Sequence, residues 1–202
     1  MDLREQFGSI DIYLFDQLLK GRITPSMSIL DAGCGDGRNL IYFLRHNFDV
    51  FAVDSNPQSI QQVQRLASSL APNLPLENFL IADVADMPLP SAKFDLVISS
   101  AVLHFANDQQ HFDNMLDEMW RVLKAGGMLF ARLASSIGME ELVKPTARGR
   151  YLLPDGTERF LTDEEMLAAA TERLGARRVE PLKTTNVENL RCMTTWVVSK
   201  PA

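Results

Sequence analysis

Three aspartates stand where apolar, strand-like runs of the chain end: Asp31, Asp54 and Asp83. In an open parallel sheet the carboxyl ends of the strands line one crevice, and ligands bind there. Carboxylates accept hydrogen bonds, so these three could receive an ammonium group, a ribose diol and an adenine amino group respectively. A single acid at a strand end is common, but three in register with the glycine-rich turn described next indicate a binding site.

A glycine-rich turn follows the first of these aspartates. The stretch LDAGCGDGRN at residues 30–39 places Gly33, Gly35 and Gly37 between a predicted strand and a predicted helix. Such a turn lets a ligand approach bare backbone, and dinucleotides and S-adenosylmethionine are two ligand classes that use it. The dinucleotide fingerprint requires glycine or alanine where this chain has Arg38, and the Gly-Lys-Ser/Thr of a P-loop is absent. Arg38 therefore disfavours a nicotinamide or flavin cofactor and a nucleotide-dependent oxidoreductase.

The elements that must position these residues alternate between strand and helix patterns. Apolar runs predict strands at residues 28–30, 49–54, 78–83, 94–100, 128–133, 177–182 and 190–200. Helical spacing predicts helices at residues 1–21, 38–46, 57–70 and 109–124, the last one stopped by Gly126-Gly127, and a capping box of Thr162 and Glu165 predicts a fifth helix. The pattern predicts one α/β domain over residues 1–202. Its sheet is doubly wound, seven-stranded and mostly parallel, with an antiparallel hairpin at one edge.

The same stretches resemble the motifs of a known family, the class I S-adenosylmethionine-dependent methyltransferases. The motif-like stretches are LDAGCGDG at 30–37, AVDSNP at 52–57, ADVADMP at 82–88, FDLVISS at 94–100 and VLKAGG at 122–127. Arg38-Asn39 is similar to the tellurite-resistance-type, methyltransferase-11-like enzymes that act on small molecules. The resemblance covers residues 28–134 densely, and five such motifs in order at the expected spacings are specific.

This resemblance implies a cofactor, S-adenosyl-L-methionine, with S-adenosyl-L-homocysteine as its product. Asp31 would hold the amino end of the cofactor, and Gly33 and Gly35 would let the backbone reach its methionine part. Asp54 would bind both ribose hydroxyls. The other implied cofactor residues are Ser55 and Asn56 beside the adenine, Asp83 and the Val84 N–H at its edge, and Ser99 at the methionine moiety.

His104 is the predicted catalytic residue, because it follows the fourth predicted strand and would lie over the crevice. The alternative is a loop histidine packed under a lid. Transfer of a methyl group from a sulfonium depends mainly on orientation and desolvation, so the lack of a catalytic triad is no argument against activity.

Residues 135–161 are a predicted substrate-side insertion between the cofactor-binding core (28–134) and a closing helix with two strands (162–202). Arginine side chains in such a lid could bind a carboxylate or phosphate. The alternative is a solvated hairpin around Pro154-Asp155-Gly156. The candidate substrate residues are Arg148, Arg150 and Tyr151, with Arg159 nearby in the same segment.

Composition limits the remaining function classes. The formal net charge of −6 over 202 residues disfavours a nucleic-acid-binding surface, and the Asn/Asp-Pro-Pro-Tyr/Phe pattern of amino-methylating nucleic-acid enzymes is absent. Cys34 and Cys192 form neither a disulfide framework nor a metal-binding spacing, which favours the cytoplasm. We expect no signal peptide, membrane span or metal. The prediction is methyl transfer to a small molecule; the alternative is a cofactor-binding protein without turnover, such as a sensor or assembly partner.

Overall fold

The computed structural model describes residues 2–202, which form a central sheet, a small second sheet and six α-helices. The strands are β1 (Ser28–Ala32), β2 (Asp49–Asp54), β3 (Phe79–Ile81), β4 (Phe94–Ser100), β5 (Leu123–Ser135), β6 (Lys144–Pro145), β7 (Arg150–Leu152), β8 (Glu158–Phe160), β9 (Arg177–Arg178), β10 (Lys183–Val187) and β11 (Arg191–Ser199). The helices are α1 (Leu3–Phe7), α2 (Ile12–Leu19), α3 (Ile41–Arg45), α4 (Pro57–Leu70), α5 (Gln109–Val122) and α6 (Glu164–Arg173).

The central sheet runs in the order β10-β11-β5-β4-β1-β2-β3. Strands β3, β2, β1, β4 and β5 are parallel, and β11 pairs antiparallel with both β5 and β10. The predicted doubly wound, mostly parallel sheet with an antiparallel edge hairpin is confirmed. The strand predicted at residues 177–182 is wrong in its extent: only β9 lies within it, and the hairpin strand β10 begins after it, at Lys183. Pro181 has no N–H for a ladder bond, so the chain leaves the sheet between the two, and the sheet has eight strands rather than the predicted seven.

The single helix predicted over residues 1–21 is wrong, because α1 and α2 are separate helices. Asp11 caps α2: its carboxylate accepts a hydrogen bond from the Tyr13 N–H at 3.0 Å. The Asp11 N–H itself donates to Asn39 Oδ1 at 2.9 Å, outside the helix. A buried cap held by a distant residue interrupts an apolar pattern that is helical on both sides.

Three other helix boundaries differ from the sequence prediction. Helix α3 begins at Ile41 rather than at residue 38, because the preceding residues belong to the glycine-rich turn. Helix α6 is capped by Asp163 rather than Thr162, since Asp163 Oδ1 accepts from the Met166 N–H at 2.8 Å. Helix α5 ends at Val122, and the next residues join β5 instead of the helix, with Leu123 paired to Phe94.

The apolar core forms one layer on each face of the sheet. Alternate strand residues enter opposite layers, as the period of two requires. One layer joins Leu30 and Val97 to side chains of α5 and α6, and the other joins Ile29 and Leu96 to α2, α3 and α4. Because helices cover both faces, the open ends of the strands remain for a ligand.

The predicted insertion folds into a three-stranded antiparallel sheet of β6, β7 and β8. The β7–β8 hairpin turns at residues 154–156, as the hairpin alternative predicts, and the Gly156 N–H donates to the Leu153 carbonyl at 3.0 Å. Leu153 and Leu161 pack against Ala134 of β5, which ties this sheet to the main domain.

Within residues 2–202, none of the helices has both the length and the apolar composition that a membrane span needs.

Candidate active site

A cavity of about 410 Å³, here called the first cavity, opens where β1, β2 and β4 end. The strand order reverses between β1 and β4, and doubly wound sheets bind ligands at such a switch point. Six of the nine predicted cofactor residues line it: Gly33, Gly35, Asp54, Ser55, Asp83 and Val84.

The glycine-rich turn folds back on β2 beside the first cavity. Gly33 has a φ of +83°, and a Cβ at this position would lie 2.5 Å from Val102 Cγ2. Only glycine fits there, for both conformational and steric reasons. The N–H groups of Gly33 and Cys34 both donate to the Val53 carbonyl, at 2.7 and 3.0 Å. The turn therefore brings the following N–H, that of Gly35, to the end of β2.

Two backbone N–H groups hold the Asp54 carboxylate in the first cavity. Gly35 donates to Oδ2 and Asn56 to Oδ1, each at 2.9 Å. A carboxylate offers about four lone-pair sites, so each oxygen keeps capacity for one further donor. Asp54 is thus a fixed acceptor for two neighbouring hydroxyls.

Asp83 and Val84 place an acceptor beside a donor in the same cavity. Asp83 Oδ1 accepts from the Ala85 N–H at 2.8 Å, which leaves Oδ2 for a ligand. The Val84 N–H takes part in none of the hydrogen bonds formed among residues 2–202. An acceptor next to a donor matches the edge of adenine, where an amino group adjoins a ring nitrogen.

Asp31 is 1% exposed and does not line the cavity, and its Oδ2 has no hydrogen-bond partner among the described residues. Burial raises the pKa of Asp31 to about 7, with the Arg38 cation opposing that rise and the Asp54 carboxylate adding to it. A buried carboxylate without a partner is unfavourable. A cationic ligand group would therefore gain the most binding free energy by pairing with Asp31.

Arg38 also lines the first cavity, although it was not among the predicted cofactor residues. Its Nη2 donates to Ser100 Oγ at 2.9 Å, and Ser100 Oγ donates to Asp11 Oδ2 at 3.2 Å. Arg132 Nη1 reaches the same Asp11 oxygen at 3.1 Å. No local pattern indicates this network, because its members come from four separate parts of the chain.

A second cavity, of about 300 Å³, shares Ala101 with the first. His104 lines this second cavity, and its Nδ1 accepts from the Ala134 N–H at 3.2 Å. Burial lowers the pKa of His104 to about 4, and the Arg159 cation lowers it further. The imidazole is therefore neutral with its proton on Nε2, which makes it a hydrogen-bond donor rather than a base.

Residues 2–202 contain no group of three or more His, Cys, Asp or Glu side chains that could hold a metal ion.

Comparison with known proteins identifies the family to which this chain belongs. A sequence profile described as "Methyltransferase domain" matches residues 30–131, about half of the chain. The chain belongs to the S-adenosylmethionine-dependent methyltransferase family. The class I resemblance is confirmed, whereas the tellurite-resistance subtype stays a prediction.

Individual relatives of this chain agree with the family. A malonyl-[acyl-carrier protein] O-methyltransferase of Enterobacter lignolyticus is 32% identical over 108 residues, which are 53% of this chain and 39% of that protein. The chain spans about half the length of the curated relatives it matches. A solved methyltransferase of Methanosarcina mazei has a TM-score of 0.71 at 18% identity, over 91% of this chain and 97% of that one. The 1,6-didemethyltoxoflavin-N1-methyltransferase of Burkholderia thailandensis has a TM-score of 0.68 at 18% identity, over 100% and 82%.

The first cavity fits the cofactor of this family. S-adenosylmethionine carries an ammonium group, a ribose diol and an adenine ring. The free lone pairs of Asp54 and the unused Val84 N–H complement the ribose diol and the adenine edge from the cavity lining. The unpartnered oxygen of Asp31, which is buried behind this lining, would complement the ammonium group. Three groups with unused hydrogen-bonding capacity thus match three parts of one molecule.

Besides Asp31, two predicted cofactor residues do not line this cavity, Ser99 and Asn56. Ser99 is fully buried and its Oγ has no partner among the described residues, whereas Ser100 lines the cavity. Successive strand residues point to opposite faces, so we replace Ser99 by Ser100 in the candidate site. Asn56 does not line the cavity either; its side chain caps α4 by accepting from the Gln58 N–H at 3.0 Å.

The predicted substrate residues of the insertion line neither the first nor the second cavity. Arg150 is bound to Glu158 Oε1 at 3.0 Å and to the Ala106 carbonyl at 2.6 Å, so its guanidinium supports the small sheet. Arg148 is exposed, and Tyr151 packs against the cluster of Leu153 and Leu161. Phe105, His111 and Met115 line the first cavity from the segment after β4, although no motif in the sequence predicted them there.

Proposed function

We propose that this methyltransferase is an active enzyme that transfers the methyl group of S-adenosylmethionine to a small-molecule acceptor. The observation that carries the proposal is the Asp54 carboxylate, which two backbone N–H groups fix in the first cavity. A preorganised acceptor of this kind binds a ribose diol without first reorganising. The family membership and the cavity at the switch point of the sheet support the same function.

Each part of the cofactor has a proposed partner in the chain. Asp31 would pair with the ammonium group, and Arg38 would face the carboxylate at the same end, since guanidinium and carboxylate form strong charge-assisted bonds. Asp54 would accept from both ribose hydroxyls. Asp83 Oδ2 and the Val84 N–H would bind the adenine edge.

The reaction itself demands little acid–base chemistry from the chain. The bound cofactor supplies a methyl group on a sulfonium, from which the leaving group is neutral. Ala101 lines both cavities and marks the boundary between them. The residues around this boundary would then act by orienting the acceptor and excluding water. His104, as a neutral Nε2–H donor, would orient an oxygen or nitrogen of the acceptor from the second cavity rather than remove its proton.

Calorimetry with S-adenosylmethionine and S-adenosylhomocysteine tests the cofactor half of the proposal. Asp54→Asn keeps the size of the side chain but loses one acceptor oxygen and the charge, and we expect it to weaken both ligands at least tenfold. Asp117→Asn is the matched control, because Asp117 is an exposed residue of α5 outside the first cavity. Equal affinities in the wild type and Asp54→Asn would contradict the assignment.

Turnover is tested separately with methyl-labelled S-adenosylmethionine and the small-molecule fraction of a cell extract, analysed by mass spectrometry. We expect at least one labelled product that is absent with Asp54→Asn. Tight cofactor binding without any labelled product would instead favour the alternative function, a cofactor-binding sensor or assembly partner.

A further inference from the structure

The second cavity concentrates basic side chains in a chain that is acidic as a whole. Arg132, Arg159 and Arg191 line it, and Asp155 is its one carboxylate among the described residues. These residues come from β5, from the β7–β8 hairpin and its second strand, and from the start of β11. Three elements distant in sequence thus bring three guanidinium groups to a cavity of about 300 Å³.

The acids near this cavity leave part of the positive charge uncompensated. Asp11 is shared by Arg132, at 3.1 Å, and by Arg38, at 3.9 Å. Asp155 Oδ1 accepts from the Thr157 N–H at 2.9 Å and from Thr157 Oγ1 at 2.6 Å, which holds it in the hairpin. With His104 neutral, Arg132, Arg159 and Arg191 face only two carboxylates, and Arg38 shares one of these, so at least one positive charge remains in excess.

The arginines keep hydrogen-bond donors for a ligand. Arg159 and Arg191 have no carboxylate within 4.0 Å among residues 2–202, and the one hydrogen bond of the Arg159 guanidinium goes to the Glu158 carbonyl. The Nε of Arg132 is buried and has no partner among the same residues. A buried donor without a partner is unfavourable unless a ligand completes it.

Arg159 also links the two cavities. Its guanidinium lies 5.1 Å from the centre of the Phe105 ring, and Phe105 lines the first cavity. The cation–π contact restricts the orientation of an otherwise flexible side chain. A ligand bound to Arg159 would therefore sit next to the boundary at Ala101, across which the methyl group has to pass.

We propose that the methyl acceptor carries a carboxylate or phosphate group, and that Arg132, Arg159 and Arg191 bind this group in the second cavity. The planar forks of arginine match the oxygens of both anions. The small volume admits one such group with a short apolar body against Leu153 and Met193. This inference rests on the proposed function, since it assigns the acceptor of the same reaction.

The test is a titration of the protein saturated with S-adenosylhomocysteine, using inorganic phosphate and succinate as anions and succinamide as the neutral control. Ionic strength is held constant with sodium chloride, and binding is followed by the amide signals of the residues around Ala101. We expect phosphate or succinate to bind and succinamide not to bind. The tighter of the two anions identifies the charged group of the acceptor.

The variant for this titration is Arg159→Gln/Arg191→Gln, and the matched control is Arg177→Gln/Arg178→Gln. Arg177 and Arg178 are exposed, lie in β9 and line neither cavity, so the control removes the same charge elsewhere. We expect the anion Kd to rise at least tenfold in the first variant and less than twofold in the control. The affinity for S-adenosylhomocysteine should stay unchanged in both.

Equal anion affinity in both double variants, or equal binding of succinamide and succinate, would overturn the inference. These outcomes differ from failure of the proposed function, in which the wild type would not bind S-adenosylhomocysteine at all.

Discussion

The Arg38 guanidinium donates a hydrogen bond to the Ser100 hydroxyl at 2.9 Å and so joins the glycine-rich turn to the end of β4. Ser100 donates in turn to the buried Asp11 carboxylate, which also binds Arg132. Because Arg38 lines the first cavity and Arg132 the second, a single carboxylate from the segment before α2 holds one arginine of each.

Replacement of Asp11 tests this connection. Asp11→Asn keeps the shape of the side chain but removes the charge that Arg132 and Arg38 share. We expect a loss of about 2 kcal/mol in the free energy of unfolding, measured by urea denaturation at pH 7.5, because a partly buried arginine loses its partner. Glu5→Gln is the control: Glu5 is exposed and pairs at 3.5 Å with the partly buried Arg45, and we expect a loss below about 0.5 kcal/mol. A similar loss in both variants would contradict the network.

The buried Asp31 gives a pH dependence of known sign. Its pKa of about 7 in the folded chain lies above the ordinary value of 3.8. At pH values between these two, the folded state therefore holds a proton that the unfolded state has released. The contribution of Asp31 to the free energy of unfolding is fully present below pH 4 and is lost as the pH rises through 7. The difference in this contribution between the two pH values is about 4 kcal/mol.

Asp31→Asn removes that pH dependence. Urea denaturation should show the variant to be more stable than the wild type at pH 8, by about 2–4 kcal/mol, and close to the wild type at pH 4. The same variant should bind S-adenosylmethionine less tightly. A stability difference that is the same at both pH values would show that Asp31 ionises normally in the folded chain.

Gly33→Ala tests the contact between the glycine-rich turn and Val102. The new Cβ would meet Val102 Cγ2 at 2.5 Å and would adopt a φ of +83°. We expect a loss of about 3 kcal/mol in the free energy of unfolding, from left-handed backbone and overpacking together.

The double variant Gly33→Ala/Val102→Ala separates the two causes, because it removes the steric overlap and leaves the backbone conformation. It should recover about half of the loss relative to Val102→Ala alone. No recovery would mean that backbone conformation alone excludes alanine.

Glu180 should make the protein sensitive to acid. Burial raises the pKa of Glu180, but hydrogen bonds from Lys183, Lys20, Arg22 and Gln17 outweigh burial and lower it to about 2. The resulting stability is present above the ordinary value of 4.5 and is lost as the pH falls towards 2.

Glu180→Gln removes this contribution. Because the cationic partners are about one-third exposed, we expect a modest loss of about 2 kcal/mol at pH 7 and almost none near pH 2, by urea denaturation. Glu188→Gln, at an exposed turn, serves as the control. A loss that persists unchanged at low pH would indicate packing rather than charge.

His104 should remain neutral throughout the physiological range, because burial and then Arg159 lower its pKa to about 4. In an NMR titration of the imidazole signals, assigned by comparison with His104→Gln, the His104 signals should not shift between pH 5.5 and 8. A midpoint near 6.5 would restore a role for His104 as a base.

The cofactor side of the site could be predicted from sequence because its signals are local. A glycine needed for positive φ and a carboxylate at a strand end depend on a few adjacent residues, and six of the predicted residues do line one cavity. Ser99 does not line this cavity whereas Ser100 does, because a strand pattern does not show which of two adjacent serines faces the open end of the sheet. Helix α2 begins where a distant asparagine holds its cap, which the periodicity of residues 1–21 does not show.

The sequence by itself therefore determined the class of fold, the family and the residues of the glycine-rich turn, since each follows from short-range pattern and strand order. The tertiary structure alone decided which arginines face the second cavity. Arg148 and Arg150 are in the predicted insertion yet line neither cavity, whereas Arg132 and Arg191 are strand residues brought beside Arg159 by the pairing of β11 with β5. Guanidinium groups from distant segments meet through strand pairing and packing, and no spacing along the chain records that.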